Sequence, residues 1–266
     1  MDWALVPAFV ALGCLVGFLA GLLGIGGGMT MVPLLTLAFA HQGFAPDRVV
    51  HMAIATAIAV TVATSLSSAR AHHAQGLVMW PVWKLLVPGV LVGSLLGPQI
   101  AEGISTGLLA TIFAAIASLT ATQMLIDRKP KPARELPGAP GLLGVGFGIG
   151  LISSMFGAGG AFVSVPFMTW CNIKIHNAVA TSAALGLPIA VAGTIGFVIA
   201  GLRETGMPRY SVGYIYLPAL IALSVGSVVF APVGARLAHR WPVKKLRRAF
   251  AGLLFVLAAR MVWKAL

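Results

Sequence analysis

The sequence predicts an all-α polytopic membrane protein with two inverted-topology repeats, each a broken helical hairpin plus three transmembrane helices. Three observations predict this fold class: an apolar composition, an internal repeat and an uneven distribution of basic residues. Of the 266 residues, 59% are hydrophobic and 9% are charged, whereas a soluble domain carries roughly 25% charged residues. Apolar runs of about 20 residues recur along the chain, which is the length needed to cross a ~30 Å hydrocarbon core.

The internal repeat rests on two ungapped matches in the same order. "GIGGGMTMVP" (Gly24–Pro33) aligns with "GAGGAFVSVP" (Gly157–Pro166), and five of the ten positions are identical. "HMAIATAIA" (His51–Ala59) aligns with "HNAVATSAA" (His176–Ala184), and five of the nine positions are identical. Self-similarity at half the chain length indicates two homologous halves.

The repeat divides the chain into two transmembrane units and a linker. The first transmembrane repeat is predicted over residues 1–126 and the second over residues 141–266. Between them, residues 127–140 read "DRKPKPARELPGAP", a stretch of charge and proline that cannot lie in hydrocarbon. A third, weaker match pairs the "GS" at Gly93 with the "GS" at Gly226.

Each half contains one apolar segment interrupted by glycines and then three continuous apolar runs. In the first half the broken segment covers about residues 4–40, and the continuous runs cover 49–69, 81–101 and 104–126. In the second half the broken segment covers 141–170, and the continuous runs cover 177–200, 211–235 and 249–265.

The basic residues indicate how the broken segments run. If each broken segment crosses the membrane, the 18 Lys and Arg divide almost evenly between the two sides. If each turns back as a hairpin, thirteen lie on one side, and such an excess marks the cytoplasm. The hairpin interpretation makes the two halves inverted relative to each other. Both termini then lie on the outer side of the inner membrane, and residues 127–140 and 236–248 are cytoplasmic. Parallel repeats remain the alternative.

The glycine breaks are candidate binding elements, because inverted repeats with broken helices are typical of secondary transporters. A helix that restarts after a break presents free N–H groups and the positive end of its dipole to an anion. The alternative is that these glycines only allow close helix packing. The predicted substrate-binding residues of the first half are Gly24, Gly26, Gly27, Gly28, Thr30 and Thr56. Those of the second half are Gly157, Gly159, Gly160, Ala161, Thr181 and Ser182.

Four further residues are duplicated beside the breaks. His51 and His176 begin the next apolar run of each half and are candidates for gating or proton handling, or for interfacial polar positions. Pro33 and Pro166 follow the breaks, where each would kink the restarted helix. The hydroxyls of nearby serines, such as Ser153, are additional candidate donors to an anion.

Acidic residues are absent from the interior of the apolar runs. All six acidic residues lie in loops or at the ends of runs, which argues against a proton relay of membrane carboxylates and favours an anionic substrate. Cys14 and Cys171 have no metal-ligand spacing, and no metal or cofactor is predicted. The net charge of +12 lies mostly between apolar runs, so the expected partner is the lipid bilayer and not nucleic acid.

The motif "GLLGIGGGMTMVPLL", its copy "SMFGAGGAFVSVPFM" and the two "H-x-A-x-A-T" helix starts resemble the sulfite exporter TauE/SafE family of membrane transporters. The resemblance covers essentially the full chain. It implies an inner-membrane permease, not an enzyme, that moves sulfite, a sulfonate or a related small sulfur-containing anion. The halves differ where Gly28 is matched by Ala161 and Ala57 by Ser182, so the two half-sites need not be equivalent.

Two other functions stay open at this level: an intramembrane enzyme that uses the paired histidines, and a passive anion channel. The enzyme is disfavoured because no nucleophile–base set and no H-E-x-x-H spacing accompany the histidines. The sequence does not name the sulfur compound, the direction of transport, the oligomeric state or a coupling ion, for which H⁺ and Na⁺ are the candidates.

Overall fold

A computed structural model describes residues 6–23, 27–126, 135–237 and 243–265. Ten helices and one two-stranded sheet account for nearly all of these residues, which confirms the predicted all-α polytopic class. The helices of the first half are α1 (Val6–Leu23), α2 (Gly28–His41), α3 (Val49–Ala74), α4 (Trp80–Glu102) and α5 (Thr106–Ile126). Those of the second half are α6 (Ala139–Met155), α7 (Ala161–Trp170), α8 (Ile175–Gly201), α9 (Leu217–Leu237) and α10 (Val243–Ala265).

Among the described residues, five helices are long and apolar enough to cross a membrane: α3, α4, α5, α8 and α9. The sixth predicted crossing, α10, is 23 residues long, but it begins with the basic stretch "VKKLRR", and its shorter apolar part, Ala251–Met261, contains Arg260. Large apolar side chains are exposed along the outer faces of these helices, as expected where lipid replaces water. On α4 they are Trp80, Leu85, Leu91, Val92, Leu95, Leu96 and Ile100.

The helices that follow the glycine breaks are too short to cross a bilayer. Helix α2 has 14 residues and α7 has 10, so at 1.5 Å per residue they are about 21 Å and 15 Å long. Each helix is therefore too short to span a ~30 Å hydrocarbon core. Both begin where the sequence predicts the break, at Gly28 and at Ala161.

Close contacts at glycines give the relative directions of the most extensively packed helix pairs. Gly13 of α1 lies against Leu223 of α9, and one turn later Gly17 lies against Ser227, so α1 and α9 run in the same direction. Helices α4 of the first half and α6 of the second half form a corresponding pair. Gly93 of α4 lies against Phe147 of α6.

The second broken segment reverses direction at its glycines. Gly97 of α4 lies against Leu151 of α6, one turn beyond the contact of Gly93 with Phe147, so α4 and α6 are parallel. Helices α4 and α8 are also parallel, because the start of α4 contacts the start of α8 and their C-terminal halves also meet. Helix α7 is antiparallel to α8, because Gly160 approaches Ile189 whereas Ser164 approaches Ser182. Helices α6 and α7 therefore run in opposite directions.

Helices α3 and α8 cross at the centre of the molecule in opposite directions. Gly193 of α8 lies against Ile58 of α3, and Gly186 lies against Ser65. The most apolar window of α3 is 83% buried, so this helix is enclosed by protein and not by lipid. The core of the molecule is built around these two helices.

Two helices begin at positions that differ from the approximate runs of the sequence. The run predicted over 211–235 becomes helical only at Leu217, because Ser211–Val212 and Ile215–Tyr216 pair as a β-hairpin with Gly213 at a φ of +56°. Helix α6 begins at Ala139, inside the stretch 127–140 that the sequence predicts as a linker. Residues 127–134 of that linker lie outside the described part of the chain.

Candidate functional site

The two glycine breaks contact each other. A Cβ added at Gly28, the first residue of α2, would collide with the carbonyl oxygen of Gly157 and lie 3.1 Å from Cα of Ala158. Gly157 in turn lies against Val32 and Ile54 of the first half. The structure thus brings together predicted site residues that are more than 120 positions apart in the sequence. Gly24 and Gly26 lie outside the described residues.

The second break is a compact turn that needs glycine. Gly157 has a φ of +63° and Gly160 a φ of +82°, which are left-handed values that side chains disfavour. The amides of Gly157 and Ala158 donate to the carbonyls of Ser154 and Ser153 at 3.2 and 3.0 Å and so close α6. The turn is fully buried within the described residues.

Two backbone amides at the N-terminus of α7 are not used in hydrogen bonds among the described residues. The carbonyl of Gly160 accepts the amides of Val163 and Ser164 at 3.1 and 2.9 Å. The amides of Ala161 and Phe162 have no acceptor within the part of the chain that the structure describes. Unpaired amides at a helix N-terminus are the usual donors to a bound anion.

Gly159 and Gly27 complete the described glycines of the two breaks. The carbonyl oxygen of Gly159 lies 3.4 Å from the position that a Cβ on Gly186 would occupy, which brings the turn against α8. The carbonyl oxygen of Gly27 accepts the hydroxyl of Thr30 at 2.8 Å and also its amide at 3.2 Å. The Thr30 hydroxyl, a predicted donor to substrate, therefore bonds to its own break.

Pro33 and Pro166 both lie inside the restarted helices. Because proline has no N–H, the carbonyls of Met29 and Phe162 lack their usual donor four residues later. Each of these carbonyls belongs to the second residue of its helix, next to the break.

Thr56 and Thr181 occupy equivalent positions in the repeat, and the hydroxyl of each accepts a backbone amide. The Thr56 hydroxyl oxygen accepts the amide of Tyr216, just before α9, at 3.1 Å. The Thr181 hydroxyl oxygen accepts the amide of Met79, just before α4, at 2.9 Å. Each threonine thus ties α3 or α8 to the start of a helix in the other half, a structural bond that the sequence does not reveal.

Ser182 forms a short hydrogen-bonded chain at the second break. Its hydroxyl lies 2.6 Å from that of Ser164, and the Ser164 hydroxyl donates to the carbonyl of Gly160 at 3.0 Å. Because a hydroxyl has a single hydrogen, Ser182 is then the donor to Ser164. The equivalent positions of the first half are Met31 and Ala57, which cannot form this chain.

Ser153, an additional candidate donor to an anion in the sequence, lies beside the second break. It is fully buried in α6, and its hydroxyl has no hydrogen-bond partner among the described residues. The Oγ lies 3.4 Å from the position that a Cβ on Gly160 would occupy. Its signal in the sequence is weak, because a serine in an apolar helix usually bonds back to its own backbone.

The paired histidines have different surroundings. His51 is buried, its Nε2 donates to the carbonyl of Ala101 at 3.0 Å, and its ring stacks on Tyr214 with centroids 5.6 Å apart. The Nδ1 of His51 lies 3.4 Å from the Thr106 hydroxyl. His176, in contrast, is an exposed residue in the first turn of α8. The structure therefore brings the two histidines into no common site.

An ion pair joins the two halves near His51. The Nη2 of Arg48 lies 2.8 Å from Oε2 of Glu204, and the guanidinium also donates to the carbonyl of Thr205. Burial, followed by the negative charge of Glu204, raises the pKa of Tyr214 to about 12, so this phenol is neutral at physiological pH. In the described residues, no three His, Cys, Asp or Glu side chains are grouped so that they could hold a metal.

The comparisons with known proteins agree with this architecture. The family model of the sulfite exporter TauE/SafE matches residues 9–261. A probable membrane transporter protein of Haemophilus influenzae is 33% identical over 254 residues, which cover 95% of this chain and 96% of the relative. The probable membrane transporter protein YdhB of Bacillus subtilis is 28% identical over 255 residues, covering 91% and 96%. No solved structure matches the chain.

A family match over almost the whole chain and a 33% identical relative of nearly the same length bear out the predicted resemblance. The relatives carry the name of membrane transporters, and the five apolar spans are those of an integral multi-pass membrane protein. The chain belongs to the sulfite exporter TauE/SafE family, a family of membrane transporters and not of enzymes.

Proposed function

We propose that this protein is a secondary transporter for a small sulfur-containing anion, such as sulfite or an organosulfonate, which binds where the two glycine breaks meet. The contact of Gly28 with Gly157 and Ala158 is the observation that carries the proposal. Irregular backbone at membrane depth is tolerated where it lines a binding cavity, and broken helices meeting near the midplane are the usual site in transporters with repeats.

The polarity of the site favours an anion. Helices α2 and α7 both begin at the contact, so the positive ends of their dipoles lie there. The described Lys, Arg, Asp and Glu lie in loops or within two turns of a helix end, so no fixed charge opposes an anion at the breaks. Backbone amides and hydroxyls supply the donors, as at other anion-binding helix N-termini.

The helix directions support an inverted repeat in the inner membrane. Helices α6 and α7 run in opposite directions, and α3 is antiparallel to its equivalent α8. With alternating helices, the loops after α3 and α7 and the linker share one side, and the excess of Lys and Arg on that side makes it cytoplasmic. Both termini then lie outside, with residues 127–140 and 236–248 inside.

Within this proposal, Gly27 and Gly28 of the first break and Gly157, Gly159 and Gly160 of the second lie beside the substrate. Thr56 and Thr181 support the site through the bonds to Tyr216 and Met79, and each retains a hydroxyl hydrogen as a donor.

Counterflow in sealed proteoliposomes tests the function. Vesicles with the purified protein are loaded with unlabelled sulfite and diluted into a trace of radiolabelled sulfite, and the transient uptake is measured. A carrier exchanges internal for external substrate, so label should accumulate above the level in protein-free vesicles. Sulfate, thiosulfate and methanesulfonate inside the vesicles give the substrate preference.

Two results would contradict the proposal. Absence of counterflow with all four anions, from protein that is folded and inserted, would remove the sulfur-anion assignment. Fast flux that dissipates a gradient without any counterflow would identify a passive channel instead. Imposed gradients of H⁺ or Na⁺ in the same vesicles identify the coupling ion.

A further inference from the structure

We propose that the anion binds to the second glycine break and not symmetrically between the halves, and that the Ser153 hydroxyl donates a hydrogen bond to it. This inference rests on the proposed function and deepens it, because it assigns the substrate to one half and adds a contact residue. The ligand class is a small oxyanion that accepts from a hydroxyl and from backbone amides together.

Ser153 is placed at the start of α7, although it belongs to α6. Its Oγ lies 3.4 Å from the Cβ position of Gly160, the residue that precedes α7. The carbonyl of Ser153 also anchors the turn, because it accepts the amide of Ala158 at 3.0 Å. The side chain and the free amides of Ala161 and Phe162 therefore adjoin the same turn.

The Ser153 hydroxyl lacks a partner in a place where that is unfavourable. The residue is 0% exposed, and its Oγ has no hydrogen-bond partner within the described part of the chain. A buried hydroxyl without a partner destabilises the folded protein, and such groups commonly bind a ligand, ion or water. An oxyanion at the N-terminus of α7 would accept from this hydroxyl and from the two amides.

The first half lacks the same set of groups. The position equivalent to Ser153 by the 133-residue offset is occupied by alanine, and those equivalent to Ser164 and Ser182 are occupied by Met31 and Ala57. The Thr30 hydroxyl, which is the polar side chain at the start of α2, already donates to Gly27. Polar groups thus concentrate at the second break, where the Ser182–Ser164 chain orients the Gly160 carbonyl.

The experiment compares Ser153→Ala with Ser94→Ala. Ser94 is a matched control because it is also buried with a hydroxyl that has no partner in the described residues, but it lies between α4 and α6 against Gly150. Thermal unfolding of the purified wild type and both variants is measured without ligand and with sulfite, sulfate, thiosulfate or methanesulfonate. Counterflow of sulfite gives the half-saturating concentration.

We expect both variants to unfold at the wild-type temperature or above it without ligand, because each loses an unpaired buried hydroxyl. With sulfite, Ser94→Ala should keep the wild-type thermal shift, whereas Ser153→Ala should lose it. The half-saturating sulfite concentration of Ser153→Ala should rise by roughly 10- to 100-fold, the loss expected for a hydrogen bond to a charged group.

Two results would overturn the inference while the proposed function stands: wild-type sulfite affinity in Ser153→Ala, or the same loss in Ser153→Ala and Ser94→Ala. Failure of the proposed function looks different, because the wild type itself then shows neither a thermal shift nor counterflow with the four anions. Since the inference rests on that function, this outcome overturns both.

Discussion

At the scale of single residues, the contact between Gly28 and Gly157 determines whether the two breaks can meet. A side chain at Gly28 has no room, because its Cβ would collide with the Gly157 carbonyl. A side chain at Gly157 is disfavoured by the backbone conformation, because the φ there is +63°. Glycine is therefore required at these two positions for different physical reasons, steric at one and conformational at the other.

Gly28→Ala should lower the free energy of unfolding by about 1–3 kcal/mol, the range for overpacking a tight core. Gly144→Ala is the control, because that glycine lies inside α6 with no atom within 4 Å of its Cβ position. The control should be neutral or stabilise α6, since alanine favours a helix over glycine by about 1 kcal/mol. Thermal unfolding in detergent measures both variants, and equal stability of the two would refute the tight contact.

The sequence predicts the glycines of the breaks but not the hydrogen-bond partners of the neighbouring side chains. Repetition identifies Thr56 and Thr181, yet the amides that they bind belong to the other half of the chain. Repetition also pairs His51 with His176, although only His51 is buried. Such long-range partners depend on how the halves pack, which no local pattern contains.

At the scale of helices, glycines also set the separation of the two most extensively packed parallel pairs. A Cβ at Gly17 of α1 would collide with the backbone of Ser227 in α9, and one at Gly93 of α4 would collide with the carbonyl of Phe147 in α6. Small residues at such crossings let helix backbones approach closely where no hydrophobic effect drives association. The α1–α9 and α4–α6 pairs each join one half of the molecule to the other.

Gly17→Ala and Gly93→Ala should therefore each destabilise the protein by about 1–3 kcal/mol, because a methyl group forces the paired helices apart. Gly252→Ala in α10 is the control, because nothing lies within 4 Å of its Cβ position. Thermal unfolding with and without sulfite checks the prediction. Melting temperatures of all three variants at the wild-type value would show that these crossings are looser than described.

Helix positions were predictable because apolar length and glycine breaks are local signals. The starts of α2 and α7 at Gly28 and Ala161 follow directly from the break motif. The β-hairpin before α9 is not revealed by the sequence, because its uncharged residues 211–216 run directly into the apolar helix that follows them. Its turn depends on Gly213 and on packing of Tyr214 and Tyr216 in the core.

At the scale of the whole molecule, the account requires that the first broken segment turn back. The N-terminus and the loop after α2 then lie on the same side of the membrane, whereas the loop after α3 lies on the other. Single cysteines at Gln42, Gln75 and Arg203, in a chain with Cys14 and Cys171 replaced, report this arrangement through a membrane-impermeant thiol reagent.

We expect the cysteines at positions 42 and 203 to react from outside intact cells and the cysteine at 75 to react only after permeabilisation. This follows from the alternation of α3, α4, α8 and α9 and from the excess of basic residues on the inner side. An N-terminal epitope tag should be accessible from the same side as position 42. A tag on the opposite side from position 42 would show that the first broken segment crosses the membrane.

Sulfite counterflow by the wild type, Gly157→Ala and Gly144→Ala in parallel tests most directly the claim that transport passes through the joined breaks. Size-exclusion profiles before reconstitution establish that all three proteins are folded. The account predicts transient accumulation of label with the wild type and Gly144→Ala and none with Gly157→Ala, because the φ of +63° at Gly157 excludes a side chain without distorting the turn. Wild-type counterflow by folded Gly157→Ala would contradict the claim.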